Sequence, residues 1–354
     1  MSYATGAEVS RAFHREVVGP LLARHRPGLR YAAARLGSGS DVLGYDDETS
    51  RDHDWGCRLT VLVDEPDADA VPSLRELLDR ELPETFLDLP VRFATSWDQS
   101  GSHQVHIETV MGFAAWRLGL DVRDGLSVVD WLSLPGQTIL ETAGGPVFHD
   151  ETKQLPGLTA LLARYPDEVE RYVVSAGWRR LSQWFPMVGR TAERGQDVQS
   201  RLLTAKLADD LMHLAFVLCR RWPPYRKWRE RAFSELPLPP MPLREALAAD
   251  TWRDREQALA ESAEILAAQQ RALGLPTPER VIVPFWGRPY RTVDESLAGL
   301  LHDTITDPVL KQLPLGVGNI EQWVDNVDVL SHAPRRAALM SIYHAWLTTG
   351  DPAL

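Results

Sequence analysis

Cysteine and lysine are scarce in this 354-residue chain, which has two cysteines, Cys57 and Cys219, and four lysines. Two cysteines cannot furnish a four-ligand zinc site, and one bridge would do little for a chain of this size. Both are therefore expected to be buried small apolar groups in a protein of the reducing cytoplasm. Long apolar runs are missing as well. A stretch such as Leu211–Leu218 is short and broken by His213, against the ~18–20 apolar residues of a membrane helix. Met1–Glu8 lacks the basic-then-apolar pattern of a signal peptide. Positive charge is also in deficit. The 38 basic against 49 acidic residues leave −11, so nucleic acid is not the expected partner, because its non-specific binding rests on neutralising phosphates.

What remains is ordinary globular material, 44% hydrophobic, with a length of roughly two domains. The charge is uneven. Residues 1–150 carry 13 arginines, no lysine and 24 carboxylates, whereas residues 151–354 carry 25 of each sign. The whole deficit thus lies in the first part, either as two domains with different tasks or as a merely acidic, solubilising surface.

Periodicity predicts a helix over 7–26, an apolar run Tyr31–Leu36 stopping at Gly37-Ser38-Gly39-Ser40, a strand Arg58–Val63 and a helix Asp69–Leu82. Strands Val91–Ser96 and Gln104–Val110, helices Met111–Leu120 and Ser127–Leu134, and a hairpin through Gly144-Gly145 complete the first part. Beyond about residue 155 strand signals nearly vanish. Segments 157–165, 167–186, 197–221, 225–235, 242–272, 293–313 and 332–347 all read as helix, punctuated by Pro and Gly. The expected architecture is α+β, a mixed sheet with flanking helices (residues 1–153) followed by an all-helical domain (154–354).

The chemistry-bearing stretch runs from Gly37 to Gly56. Its third glycine, Gly44, comes too late for a dinucleotide fingerprint, and no Gly-Lys-Ser/Thr of a P-loop or Gly-x-Ser-x-Gly elbow is present. It does contain Gly39-Ser40, then Asp52-His53-Asp54, then the strand at 58–63. Small loop residues let backbone N–H groups approach a phosphate. In extended chain Asp52 and Asp54 would project to one face, where two carboxylates suit Mg²⁺ with a phosphate substrate. A polar turn rich in Asp and Ser is the competing reading. Glu108, on the same strand face as His106, is the candidate third carboxylate, against a solvated strand face. His53 would face away from the two aspartates.

This constellation resembles the nucleotidyltransferase superfamily related to DNA polymerase beta. More narrowly, Gly39-Ser40, Ser50–Asp54, Val105–Gly119, Asp130–Pro135 and Trp222–Trp228 resemble the bacterial DUF4037 family. The resemblance implies a mixed sheet and a helical domain closing over a cleft, a two-part plan similar to that of aminoglycoside nucleotidyltransferases. It further implies Gly39 and Ser40 on the phosphates of a nucleoside triphosphate. Asp52, Asp54 and Glu108 would hold one or two Mg²⁺ ions, with Glu108 also able to take a proton from the attacking hydroxyl. One departure is visible: Trp55-Gly56-Cys57-Arg58 separates the aspartates from the apolar run.

In the helical part, Cys219–Arg231 holds Arg220, Arg221, Arg226, Lys227, Arg229 and Arg231 against Glu230. Either Tyr225 and Lys227 reach the triphosphate, or the run is a solvated helix face. A helical RNase is not expected, because Arg336 and His344 lie too far apart for its R-x4–6-H motif. The expected activity is Mg²⁺-dependent transfer of a nucleoside monophosphate to a hydroxyl of a small molecule or a protein. The acidic first part favours a cationic acceptor. The alternatives are a non-catalytic nucleotide-binding or sensing module and a partner-binding protein on the same fold. No membrane association is expected, and the oligomeric state and acceptor are open.

Overall fold

The computed structural model describes residues 5–349. The chain forms two compact units. One runs up to Leu126 and includes Gln137–Ala163; the other comprises Ser127–Gly136 and the chain from Arg164 onward.

The first unit is built on a four-stranded mixed sheet of β1 (Tyr31–Ala34), β2 (Arg58–Val63), β3 (Gln104–Thr109) and β4 (Val147–Asp150), in the order β3-β2-β1-β4. β1 pairs antiparallel with β2 and β4, and β2 runs parallel to β3. Every residue of β1 and β2 is buried, as central strands covered on both faces require. In β3 burial alternates, with Val105, Ile107 and Thr109 inward and Gln104, His106 and Glu108 partly exposed. Leu59, Val61, Val63, Val105 and Ile107 pack on Val9, Phe13 and Leu22 and on Val71, Leu74 and Leu78 of the helix Ala70–Glu81. Each such fully buried side chain contributes about 1.5–3 kcal/mol.

Several expectations need correction. The hairpin expected at 138–149 is a helix, Gly136–Ala143, followed by β4, which pairs with β1 instead. The Gly144 N–H closes that helix onto the Leu140 carbonyl. A Cβ on Gly145 would stand 1.9 Å from the Arg35 carbonyl oxygen, so the glycine pair ends a helix and permits a close approach rather than making a hairpin turn. The strand expected at Val91–Ser96 is reduced to one bridge, Arg92 to His103, because a turn closed by the Thr95 N–H on the Asp98 carbonyl takes over; the short pair Thr85–Phe86 with Leu89–Pro90 precedes it. Cys57 is buried as expected but Cys219 is half-buried, and both are free thiols.

The chain passes between units at 126/127, 136/137 and 163/164, not once near 153. Hydrogen bonds account for this. The Asp64 carboxylate, just past β2, accepts the Lys153 and Gln154 N–H groups at 3.0–3.1 Å and so ties the helix Gln154–Leu161 to the sheet. Conversely, the Leu134 carbonyl accepts from Asn319 Nδ2 at 3.0 Å and the Gly136 N–H donates to Glu321 at 2.8 Å.

The second unit contains the long helices Asp167–Trp184, Asp197–Leu218 and Trp252–Ala272. It is not wholly helical, since Ile282–Pro284 pairs antiparallel with Arg291–Val293. Three-residue strands are too short to leave a periodic signal. No described helix is long and apolar enough to cross a membrane.

Candidate functional site

The loop Gly37–Ser40 leaves the end of β1 with Gly37 at φ 90° and Gly39 at φ 128°. Arg35, 1% exposed, clamps it from beneath. The Arg35 guanidinium makes a two-pronged pair with Asp41, Nε to Oδ2 at 2.7 Å and Nη2 to Oδ1 at 2.8 Å, and donates to the Leu36 and Ser38 carbonyls. Ser40 opens a 3-10 turn through Val42 and its carbonyl accepts the Leu43 and Tyr45 N–H groups. A Cβ on Gly39 would meet Asp41 Oδ1 at 2.4 Å, Arg35 Nη2 at 2.6 Å and Arg58 Nη1 at 2.9 Å. Only glycine lets the loop backbone lie against these groups.

Asp52 and Asp54 do not sit in extended chain. Thr49–Arg51 is a 3-10 turn, Asp52 is helical at φ −70° and Asp54 is left-handed at φ 56°. The alternation that would aim both carboxylates one way therefore fails. Asp52 is 63% exposed and lies 2.6 Å from the His53 ring Nδ1, so His53 accompanies it instead of facing away. The Asp54 carboxylate accepts both the N–H and the hydroxyl of Ser96, each at 2.6 Å. Its carbonyl accepts Arg58 Nη1 at 3.0 Å.

Glu108 stands opposite Leu62, four ladder positions beyond the Arg58–Gln104 pair. At ~3.3 Å per residue that is about 13 Å further from the strand entrance where the aspartates lie. Its carboxylate is taken by Arg75 at 3.0 Å and by the Thr109 N–H at 3.0 Å. The structure thus does not bring Glu108 together with Asp52 and Asp54. Among the described residues no group of three or more His, Cys, Asp or Glu side chains is arranged to hold a metal. A three-carboxylate, two-ion centre does not fit. Asp52 and Asp54 are oxygen donors of the kind that Mg²⁺ takes together with waters and substrate phosphates, but the turn at 52–54 does not aim their carboxylates at one point.

Sequence reasoning missed Arg35, Asp41, Arg58, Ser96 and Trp97. Arg35 lies inside a stretch read as apolar. Arg58 heads a strand buried on both faces, and a charge in such a place is the signal that could have found it. The Arg58 guanidinium packs over the Trp97 ring, 5.0 Å from its centroid. Burial, then the neighbouring Arg35, lower its pKa to about 9. Next along β3, His106 stacks on Trp116 with ring centroids 4.8 Å apart. Burial lowers the His106 pKa.

Tyr225 and Lys227 belong to the second unit. Tyr225 caps the helix Arg226–Ser234, and both side chains are exposed, with the Lys227 ammonium 4.8 Å from the Trp228 ring centroid. The basic run around them is largely paired: Arg220 with Glu170, Arg226 and Arg229 with Asp209, and Arg231 with Glu235.

Residues 131–229 match the family model of DUF4037, a domain of unknown function. The resemblance to that family holds for this region. It includes the stacked Trp131 and Trp222 as well as Tyr225 and Lys227, and it leaves the Gly-Ser loop, Asp52 and Asp54 outside. Among solved structures, the chain is similar to a nucleotidyltransferase-like protein from Exiguobacterium sibiricum 255-15, at 13% identity over 74% of this chain and 78% of that one, with a TM-score of 0.30. No curated protein matches the chain.

Proposed function

We propose that the first unit binds a nucleoside triphosphate and transfers its nucleoside monophosphate to a hydroxyl of a small molecule or a protein. The observation that carries this reading is the Gly37–Ser40 loop, braced by the Arg35–Asp41 pair and closed against Arg58, in the same stretch as Asp52 and Asp54. Glycine there leaves the loop backbone open to phosphate oxygens. Asp52 and Asp54 would hold Mg²⁺, which when bound neutralises phosphate charge and polarises the α-phosphate. The chain's own part is positioning and electrostatics. Gly39 and Ser40 would orient the phosphates, and Ser96 fixes Asp54. In-line attack by the acceptor hydroxyl then expels pyrophosphate.

The Glu108–Arg75 pair favours a second reading, a nucleotide-binding or sensing module without transfer, because the carboxylate that the superfamily pattern would use as proton acceptor is engaged elsewhere. Incubating the protein with each labelled nucleoside triphosphate, Mg²⁺ and cell extract separates the two. Label moving to an acceptor, and lost with Asp54→Asn, supports transfer. Nucleotide binding without any labelled product supports the module.

A further inference from the structure

We infer that Ser96 is a latch: it holds the Asp54 carboxylate in a resting position, and Asp54 can serve a metal ion together with Asp52 only after leaving it. This rests on the metal-binding part of the reading above, not on transfer.

Three observations converge. The first is that the two aspartates have different partners. The Ser96 N–H donates to Asp54 Oδ1 and the Ser96 hydroxyl to Asp54 Oδ2, each at 2.6 Å. The Asp52 carboxylate lies instead 2.6 Å from the His53 ring. Asp54 reaches Ser96 from a left-handed backbone at φ 56°, two residues after a helical Asp52 at φ −70°. Hydrogen bonds to an ionised carboxylate are about twice as strong as neutral ones. The failure of the two carboxylates to aim at one point is therefore tied to a contact, and the contact has one removable partner.

The second is that both sides of the contact are supported without it. The turn at 95–98 is closed by the Thr95 N–H on the Asp98 carbonyl at 2.7 Å and by the Asp98 N–H on the Thr95 hydroxyl at 3.1 Å. Gln99 Nε2 also donates to the Thr95 carbonyl. On the other side, Arg58 Nη1 pins the Asp54 carbonyl at 3.0 Å. Release thus asks for rotation of the Asp54 side chain and not for unfolding of either segment. The third is exposure. Ser96 is exposed and Asp54 half-buried, so the groups parted by release meet water and none is left buried without a partner.

The test is Mn²⁺ binding by the full chain without nucleotide, read from the electron spin resonance of the free ion. Mn²⁺ takes the same oxygen donors as Mg²⁺. A latch and a supporting partner predict opposite signs. Ser96→Ala, which loses the hydroxyl, is expected to tighten Mn²⁺ binding by at least about threefold. Ser96→Pro, which also loses the N–H at a turn position where proline is favoured, is expected to tighten it further. Melting temperatures are expected to stay within a few degrees of wild type. Asp54→Asn is expected to weaken binding and to abolish the effect of Ser96→Ala in the double variant. If Ser96→Pro does not fold, Ser96→Ala and its double variant decide. Unchanged or weaker binding in Ser96→Ala overturns the proposal, as does a tightening that persists without the Asp54 carboxylate. No Mn²⁺ binding by wild type or either Ser96 variant overturns it together with the metal-binding reading. Tightening that depends on Asp54, with no labelled product in the transfer assay, leaves the latch standing and removes only the transferase reading.

Discussion

Ser96 holds the Asp54 carboxylate with its backbone N–H and its hydroxyl, both at 2.6 Å, across 42 residues of sequence. The same aspartate is left-handed at φ 56°, a conformation that Asp and Asn tolerate better than other non-glycine residues. The two facts separate the roles of its charge and its shape. Asp54→Asn keeps an acceptor for the Ser96 N–H and a group for its hydroxyl. The melting temperature is expected to stay within a few degrees of wild type while Mg²⁺-dependent turnover falls on the order of 100-fold or more. Asp54→Ala loses both hydrogen bonds and the tolerance for this φ. It is expected to lower stability by about 1–3 kcal/mol, read by urea unfolding. A large stability loss in the Asn variant would make Asp54 a structural residue.

Glu108 gives the opposite expectation. Its carboxylate is paired with Arg75, and both side chains keep solvent contact, so the pair contributes less than about 1 kcal/mol. Glu108→Gln is expected to leave both stability and Mg²⁺-dependent turnover within a few-fold of wild type. Abolished turnover at unchanged stability would restore this residue to the metal set.

The glycines of the loop are not equivalent. Gly39→Ala would place a methyl 2.4 Å from Asp41 Oδ1 and 2.6 Å from Arg35 Nη2, with φ at 128°. Gly37 also has a positive φ, 90°, but a methyl there meets nothing within 4 Å. Gly37→Ala is expected to cost only the backbone strain, about 1–2 kcal/mol. Gly39→Ala is expected to cost more and to disturb the Arg35–Asp41 pair as well. Equal melting temperatures for the two variants would contradict this account of the loop.

These contrasts mark what is legible in the sequence. The strands Arg58–Val63 and Gln104–Thr109 are readable because β-branched content and alternation are local signals. So are the long helices Asp167–Trp184 and Asp197–Leu218. The pairing of Asp54 with Ser96 is not readable, because a turn at 95–98 brings together residues far apart in sequence. Nor is the bend at Asp52–Asp54, since the two-residue period holds only in extended chain. The partners of Glu108 and Arg58 depend on strand register, which no local pattern discloses. Asp64 is a further instance, because its bonds to Lys153 and Gln154 move a helix from one unit to the other.

His213 supplies a pH dependence in the second unit. Its ring is buried in the helix Asp197–Leu218, and its Nε2 has no hydrogen-bond partner among the described residues. Burial first, then the charge of Arg229, push its pKa down to about 3; Arg180 and Arg226 act in the same direction, and Asp209 opposes them. The folded state therefore keeps this imidazole neutral, while the unfolded chain takes up a proton below about pH 6.5. Between pH 6.5 and about 3 the unfolded state binds more protons, so stability falls as pH falls through that window. The loss from this one group is roughly 2 kcal/mol by pH 5 and roughly 4–5 kcal/mol at the lower end. His14, also lowered by burial, to about 4, acts in the same direction within the first unit. His213→Leu removes the larger contribution, so its urea midpoint is expected to decline less between pH 7 and 5 than that of wild type. The residual slope belongs to His14 and the carboxylates. An unchanged pH slope in the folded variant would mean that His213 takes up its proton without leaving the fold.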